Sequence, residues 1–152
     1  MASWSEVEAQ APELTARARE LFDAFTHKTM ATLRRDGAPR ISGTEVEFRD
    51  GELYIGSMWR AVKALDLQRD PRFALHSGSA DPAVWKGDAK VAGRFVEEER
   101  VAQAGEDEPS EPSHRFRADI TELAVVRLGD PADHLVIESW HEGRGVESMI
   151  RR

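Results

Sequence analysis

The chain has 152 residues, 40% of them hydrophobic and 32% charged, a length and balance that suit one soluble globular domain and exclude a disordered or membrane composition. Its formal net charge of -7 opposes a general nucleic-acid-binding role, because an acidic surface repels phosphate backbones. It has no cysteine, which excludes disulfides, thiol catalysis and Cys-ligated metal.

The opening residues Met1 to Glu6 carry neither a basic stretch nor an apolar run of the secretory type, so the expected location is the cytoplasm, with no membrane partner. Ser3-Trp4-Ser5-Glu6 has the Ser-x-x-Glu form of a capping box. It predicts a short helix from about Ser5. A second helix is expected from Pro12, which tolerates a first-turn position, to about Thr26. Leu14, Ala18, Leu21, Phe22 and Phe25 give it an apolar stripe. The first 27 residues thus read as a helical segment, and residues 28–152 as the body of the same domain.

The period then changes to two. Thr29 to Arg34 is β-prone, Asp36-Gly37 signals a turn, and Arg40 to Phe48 reads as one long strand. Asp50-Gly51 marks a second turn and Leu53 to Gly56 a third strand, giving a meander. A helix is expected over Ala61 to Arg69, with Val62 and Leu65 inward, ended by Asp70-Pro71 because the residue before proline disfavours helix. Further strands are expected over Arg72 to Ser77, Asp88 to Glu97, Phe116 to Leu128 and Leu135 to Trp140. A polar loop lies between them at 78–87, then a possible short helix over 98–104 and an acidic loop over 105–113. Gly93, alone in its strand, marks a bulge or a close backbone approach. The tail from Gly143 to Ser148 reads as loop. About seven strands with short turns predict a mainly β fold, an antiparallel barrel with peripheral helices.

The sharpest chemical feature is Gly56-Ser57-Met58-Trp59-Arg60-Ala61-Val62-Lys63. A strand ends and a helix begins within a few residues. Free N–H groups and the macrodipole make such a junction attractive to anions. Ser57 adds a hydroxyl, Arg60 a forked guanidinium and Lys63 an ammonium; Arg60 and Lys63, three apart, would share one helix face. Read alone, the same residues equally describe a capped helix with two solvated cations.

Three ordered motifs sharpen that reading. Met30-Ala31-Thr32-Leu33-Arg34-Arg35-Asp36-Gly37-Ala38-Pro39-Arg40-Ile41-Ser42 is the first, Asp50-Gly51-Glu52-Leu53-Tyr54-Ile55-Gly56 the second. Lys63-Ala64-Leu65-Asp66-Leu67-Gln68-Arg69-Asp70-Pro71-Arg72-Phe73-Ala74-Leu75-His76 is the third. Together they resemble the pyridoxamine 5'-phosphate oxidase-like superfamily of split β-barrels that bind FMN or the deazaflavin coenzyme F420. The leading helices are similar to those of actinobacterial members. The resemblance implies a homodimer with the cofactor across the subunit interface. It assigns the phosphate to Lys63, the pocket lining to Ser57, Met58, Trp59 and Arg60, and the ring edge to Arg40, Ser42 and Thr44. It also offers Trp140 as a late aromatic that reaches the partner's cofactor. The implied activity is hydride transfer to or from a small organic substrate, with no side chain marked as an obligate acid or base. A non-catalytic flavin- or haem-binding protein is the alternative.

The chain departs from the pattern in two places. Gly43-Thr44-Glu45 follows Ser42 where many members carry an apolar pair, and the Arg-rich substrate signature of the vitamin B6 oxidases is missing near the C-terminus. The five histidines, His27, His76, His114, His134 and His141, show no metal-binding spacing. His76 and His141 are the candidates should the ligand be haem.

Overall fold

The computed structural model describes residues 2–98 and 112–152. The expected helix over 98–104 and most of the acidic loop lie outside these, except that Glu98 closes one strand and Ser113 opens the next. The elements in order are α1 (Trp4–Gln10), α2 (Pro12–Asp23), β1 (Lys28–Leu33), β2 (Pro39–Thr44), β3 (Val46–Arg49), β4 (Glu52–Met58), α3 (Val62–Arg69) and β5 (Arg72–His76). A 3-10 turn follows (Pro82–Val84), then β6 (Asp88–Glu98), β7 (Ser113–Leu128), β8 (Leu135–His141) and β9 (Gly145–Arg151). All nine strands belong to one antiparallel sheet.

The barrel follows from the strand order. Along the sheet the order is β2-β1-β5-β6-β7-β4-β3, so β2 and β3 stand at its two ends. Yet only Glu45 separates them in the chain, a distance of a few ångströms. The sheet must therefore roll until its ends meet. This corrects the expected meander. The segment from Arg40 to Phe48 reads as one strand because its alternation runs unbroken, with Arg40, Ser42, Thr44 and Val46 all less exposed than their neighbours. Hydrogen bonding splits it at Glu45: β2 pairs with β1, and β3 pairs with β4.

The capping box of α1 forms as expected: the Glu6 amide donates to Ser3 Oγ (3.1 Å) and the Ser3 amide to Glu6 Oε2 (2.9 Å). The helices close one end of the barrel. Trp4 meets Phe48 edge-on at 4.7 Å, and Leu14, Ala18 and Phe22 are buried. α2 stops at Asp23, so Phe25 leaves the stripe and lies over Gly78. In α3 the buried face is Ala64, Asp66 and Leu67, whereas Val62 and Leu65 are 53% and 44% exposed, the reverse of the expectation. Asp66 explains the rotation. It is 2% exposed and accepts from Thr32 Oγ1 (2.9 Å), Arg40 Nε (2.7 Å) and Arg69 (3.0 Å). A buried carboxylate is tolerated only with such a set of partners. The helix turns its acid inward to meet them. The expected C-terminal loop is instead β9, which pairs with β8 from Gly145 to Arg151.

Gly93 sits where the β6–β7 register shifts. A Cβ there would lie 2.0 Å from the Asp119 carbonyl oxygen. Gly93→Ala should therefore cost about 2–3 kcal/mol through overpacking, read from urea unfolding.

Burial pushes the Asp66 carboxyl up, but the hydrogen bonds from Arg40, Arg69 and Thr32 outweigh it and hold it below its ordinary value of 3.8. Such a group adds stability above that pH and loses it as the pH falls through the depressed value. Asp66→Ala should destabilise by about 2–4 kcal/mol at pH 7 by leaving Arg40 unpaired. The gap to wild type should narrow in unfolding experiments near pH 3.

Candidate functional site

Rolling the sheet leaves a cleft at the seam where β2 gives way to β3. Its volume is about 590 Å³, within the range of small-molecule sites. The chain from Gly43 to Glu47 forms one wall and Lys63 of α3 another. The floor is the β4–β7 pairing, in which Gly56, Ser57 and Met58 face Arg115, His114 and Ser113. Along β4, Leu53, Ile55 and Ser57 are buried, so Tyr54, Gly56 and Met58 point outward. Gly56 has no side chain, which keeps the floor open between Tyr54 and Met58.

Lys63 donates to the Gly43 carbonyl at 2.9 Å and so links α3 to the end of β2. No carboxylate among the described residues pairs with it. Burial lowers its pKa below the ordinary lysine value. Arg115 is the second cation of the cleft. Its guanidinium lies 3.9 Å over the Tyr54 ring and likewise has no carboxylate partner among the described residues. Acids line the cleft too: Glu45 and Glu47 border it, and Glu45 Oε1 is 3.9 Å from His27 Nδ1. The cleft thus carries charges of both signs, with two cations that no carboxylate among the described residues pairs.

Of the residues singled out in the sequence, Thr44, Ser57, Met58 and Lys63 meet in this cleft. Thr44 and Ser57 are buried, while Met58 is 82% exposed. Arg60 is not on the helix face of Lys63. α3 starts at Val62, with Ala61 as its N-cap. Arg60 precedes it at φ 58°, a left-handed conformation costing about 1–2 kcal/mol in an L residue. Ser57 is accordingly a strand residue and not a cap. Trp59 lies beside the cleft and stacks on His114 at 4.7 Å with an interplanar angle of 10°. Arg40 and Ser42 do not line the cleft, and the Arg40 guanidinium is held by Asp66. Trp140 is 1% exposed and its indole N–H donates to Gln10 Oε1 (3.0 Å). It is a core residue, and its burial takes it away from any surface a partner could share. His76 and His141 do not line the cleft.

Sequence reasoning missed Tyr54, His114 and Arg115. Arg115 carried a readable signal, a cation in an alternating strand opposite Gly56, but its register to β4 emerges only in three dimensions. His114 is 4% exposed and joins two neighbours: Nδ1 lies 2.6 Å from Glu97 Oε1, and Nε2 accepts the Arg60 amide at 3.1 Å.

The chain matches no protein-family model and no curated protein. It does match solved structures. A pyridoxamine 5'-phosphate oxidase-related, FMN-binding protein from Nostoc punctiforme superposes with a TM-score of 0.62 at 16% identity, covering 100% of this chain and 98% of that one. PhzG from Burkholderia lata, in complex with tetrahydrophenazine-1-carboxylic acid, gives 0.63 at 12% identity, covering 95% and 89%. General stress protein 26 from Bacillus anthracis gives 0.58 at 14% identity, covering 72% and 91%. The fold is therefore the split β-barrel that these structures share, the architecture the motifs implied.

Because Lys63 is desolvated and has no counter-charge, its charge opposes folding, and this penalty disappears as pH rises through its lowered pKa. Lys63→Met should leave the melting temperature unchanged or raise it. A clear fall would show instead that the bond to Gly43 is structural.

Proposed function

We propose that this cleft binds a flavin-type cofactor, FMN or deazaflavin F420, with its anionic side chain against Lys63 and Arg115. The observation that carries the reading is that a 590 Å³ cleft is lined by two cations, Lys63 and Arg115, with no carboxylate partner among the described residues. A phosphate dianion supplies such a partner through charge-assisted hydrogen bonds. The shape fits as well. Gly56 leaves a flat floor for a planar ring, with Tyr54 and Met58 on its flanks. Ser113 brings a hydroxyl and Thr44 the end of β2.

A bound flavin supplies hydride transfer, so the proposed activity is that of an oxidoreductase acting on a small organic substrate. The chain's own residues bind and orient. Lys63 and Arg115 fix the anionic end, and the backbone from Gly43 to Val46 borders the ring. Glu45 and Glu47, which also line the cleft, disfavour a second anion beside them. We place a second copy of the chain over the cleft. The exposure of Met58 and Trp59 beside it supports a homodimer, since large apolar side chains at a cleft mouth favour a covering partner.

Purified protein should show flavin absorbance near 450 nm or take up added FMN or F420. Lys63→Ala and Arg115→Ala should each weaken that binding about 10- to 100-fold, the scale of one charge-assisted contact, in fluorescence titrations. Unchanged affinity in both would refute this placement of the anion. Sedimentation velocity tests the dimer.

A further inference from the structure

We infer that His114 is the positioning residue of this site, and that its neutral form holds the loop between β4 and α3 in the shape that presents Lys63 to the cleft. Protonation of His114 releases that loop. The inference rests on the anion-binding reading of the cleft.

The hydrogen bonds leave one arrangement of protons. Nδ1 lies 2.6 Å from a Glu97 carboxylate oxygen, which only accepts, so Nδ1 carries a hydrogen. Nε2 lies 3.1 Å from the Arg60 amide, which only donates, so Nε2 offers a lone pair. Both conditions hold together only in the neutral Nδ1–H tautomer. Several elements pack around the ring. Gln68 of α3 donates to the other Glu97 oxygen at 2.8 Å and fixes the carboxylate. Trp59 covers one face of the ring, and Phe116 of β7 lies 6.1 Å away. Ser57 of β4 is the register partner. Two cations are near in sequence or space: Arg115, which faces outward over Tyr54, and Arg60, whose guanidinium sits 5.9 Å from the Trp59 ring.

A proton on Nε2 would place N–H against N–H. The ring is 4% exposed, so water cannot easily step in as an acceptor. Glu97 makes the protonated ring accessible by balancing its charge, and the Arg60 amide makes it incompatible with the present loop. Arg60 already sits in a left-handed conformation that a non-glycine residue leaves unless held. The loop is also short. The Ala61 amide bonds the Met58 carbonyl at 3.1 Å, and α3 begins at the next residue. Any shift of Arg60 therefore reaches Lys63 within three residues.

The test joins two measurements between pH 8 and pH 5. In NMR titrations of the wild-type protein, the His114 ring and the Arg60 amide should move with one midpoint. Over the same range the affinity for FMN, read by quenching of flavin fluorescence, should fall about tenfold beyond the change due to the phosphate's own protonation, the scale of one lost hydrogen bond. His114→Gln, whose side-chain carbonyl can replace Nε2 as acceptor, should bind at pH 8 and retain only the phosphate's share of the pH dependence. His114→Phe, which keeps the stack without an acceptor, should bind at pH 8 about tenfold more weakly than wild type, the part of the wild-type fall that the phosphate does not account for. An Arg60 amide that does not follow His114, or a glutamine variant with the wild-type pH dependence, would overturn the inference. If FMN does not bind at any pH, the flavin reading fails, and the Arg60 titration still decides the role of His114.

Discussion

The constraint on which the structure depends is the single residue between β2 and β3. Strands at opposite ends of the sheet's hydrogen-bonding order are joined by Glu45 alone. An open, gently twisted sheet cannot satisfy that link, whereas a rolled one can. Closure through a chain link in place of hydrogen bonds leaves the seam without a ladder. The cleft occupies that seam, and the backbone on either side of Glu45 is its wall. The site is thus a product of how the barrel closes.

Two charges on the same helix, one buried and one partly buried, are held in different ways. Asp66 is surrounded by three donors from β1, β2 and α3 itself, and it locks the helix against the sheet. Lys63, one turn earlier, has a carbonyl and no counter-charge. The first arrangement is satisfied within the chain. The second leaves the ammonium without a counter-charge among the described residues.

Local patterns in the sequence expressed much of this. The capping box, the Asp-Gly turns, most strand spans and the close approach at Gly93 follow from propensity and sterics that act over a few residues. The three ordered motifs pointed to the split-barrel fold. What escaped was set by pairing between distant segments. The break at Glu45 is invisible because side-chain alternation continues through it. The inward turn of α3 follows from Asp66 finding Thr32 and Arg40, which no helical periodicity encodes. β9 reads as loop because most of its residues are exposed and lack an apolar face. In the site, Lys63, Ser57, Met58 and Thr44 were legible, but Arg115, Tyr54 and His114 required the register of β4 on β7. Arg40 and Trp140 carried the right chemistry and were taken up by the core and by Asp66.

β7 has a further consequence. One of its edges is covered along nearly its whole length by β6. The other is shared: β4 takes residues 113–117 and β8 takes residues 122–128. The gap between them is filled by Ala2, which exchanges both backbone hydrogen bonds with Ile120 (3.0 and 2.7 Å). Opening β7 to solvent therefore requires several elements to detach together, so its amides belong to the slowest class of hydrogen exchange, reached only through global unfolding. The residues around Ala2, which in most proteins fray first, are drawn into that same cooperative unit.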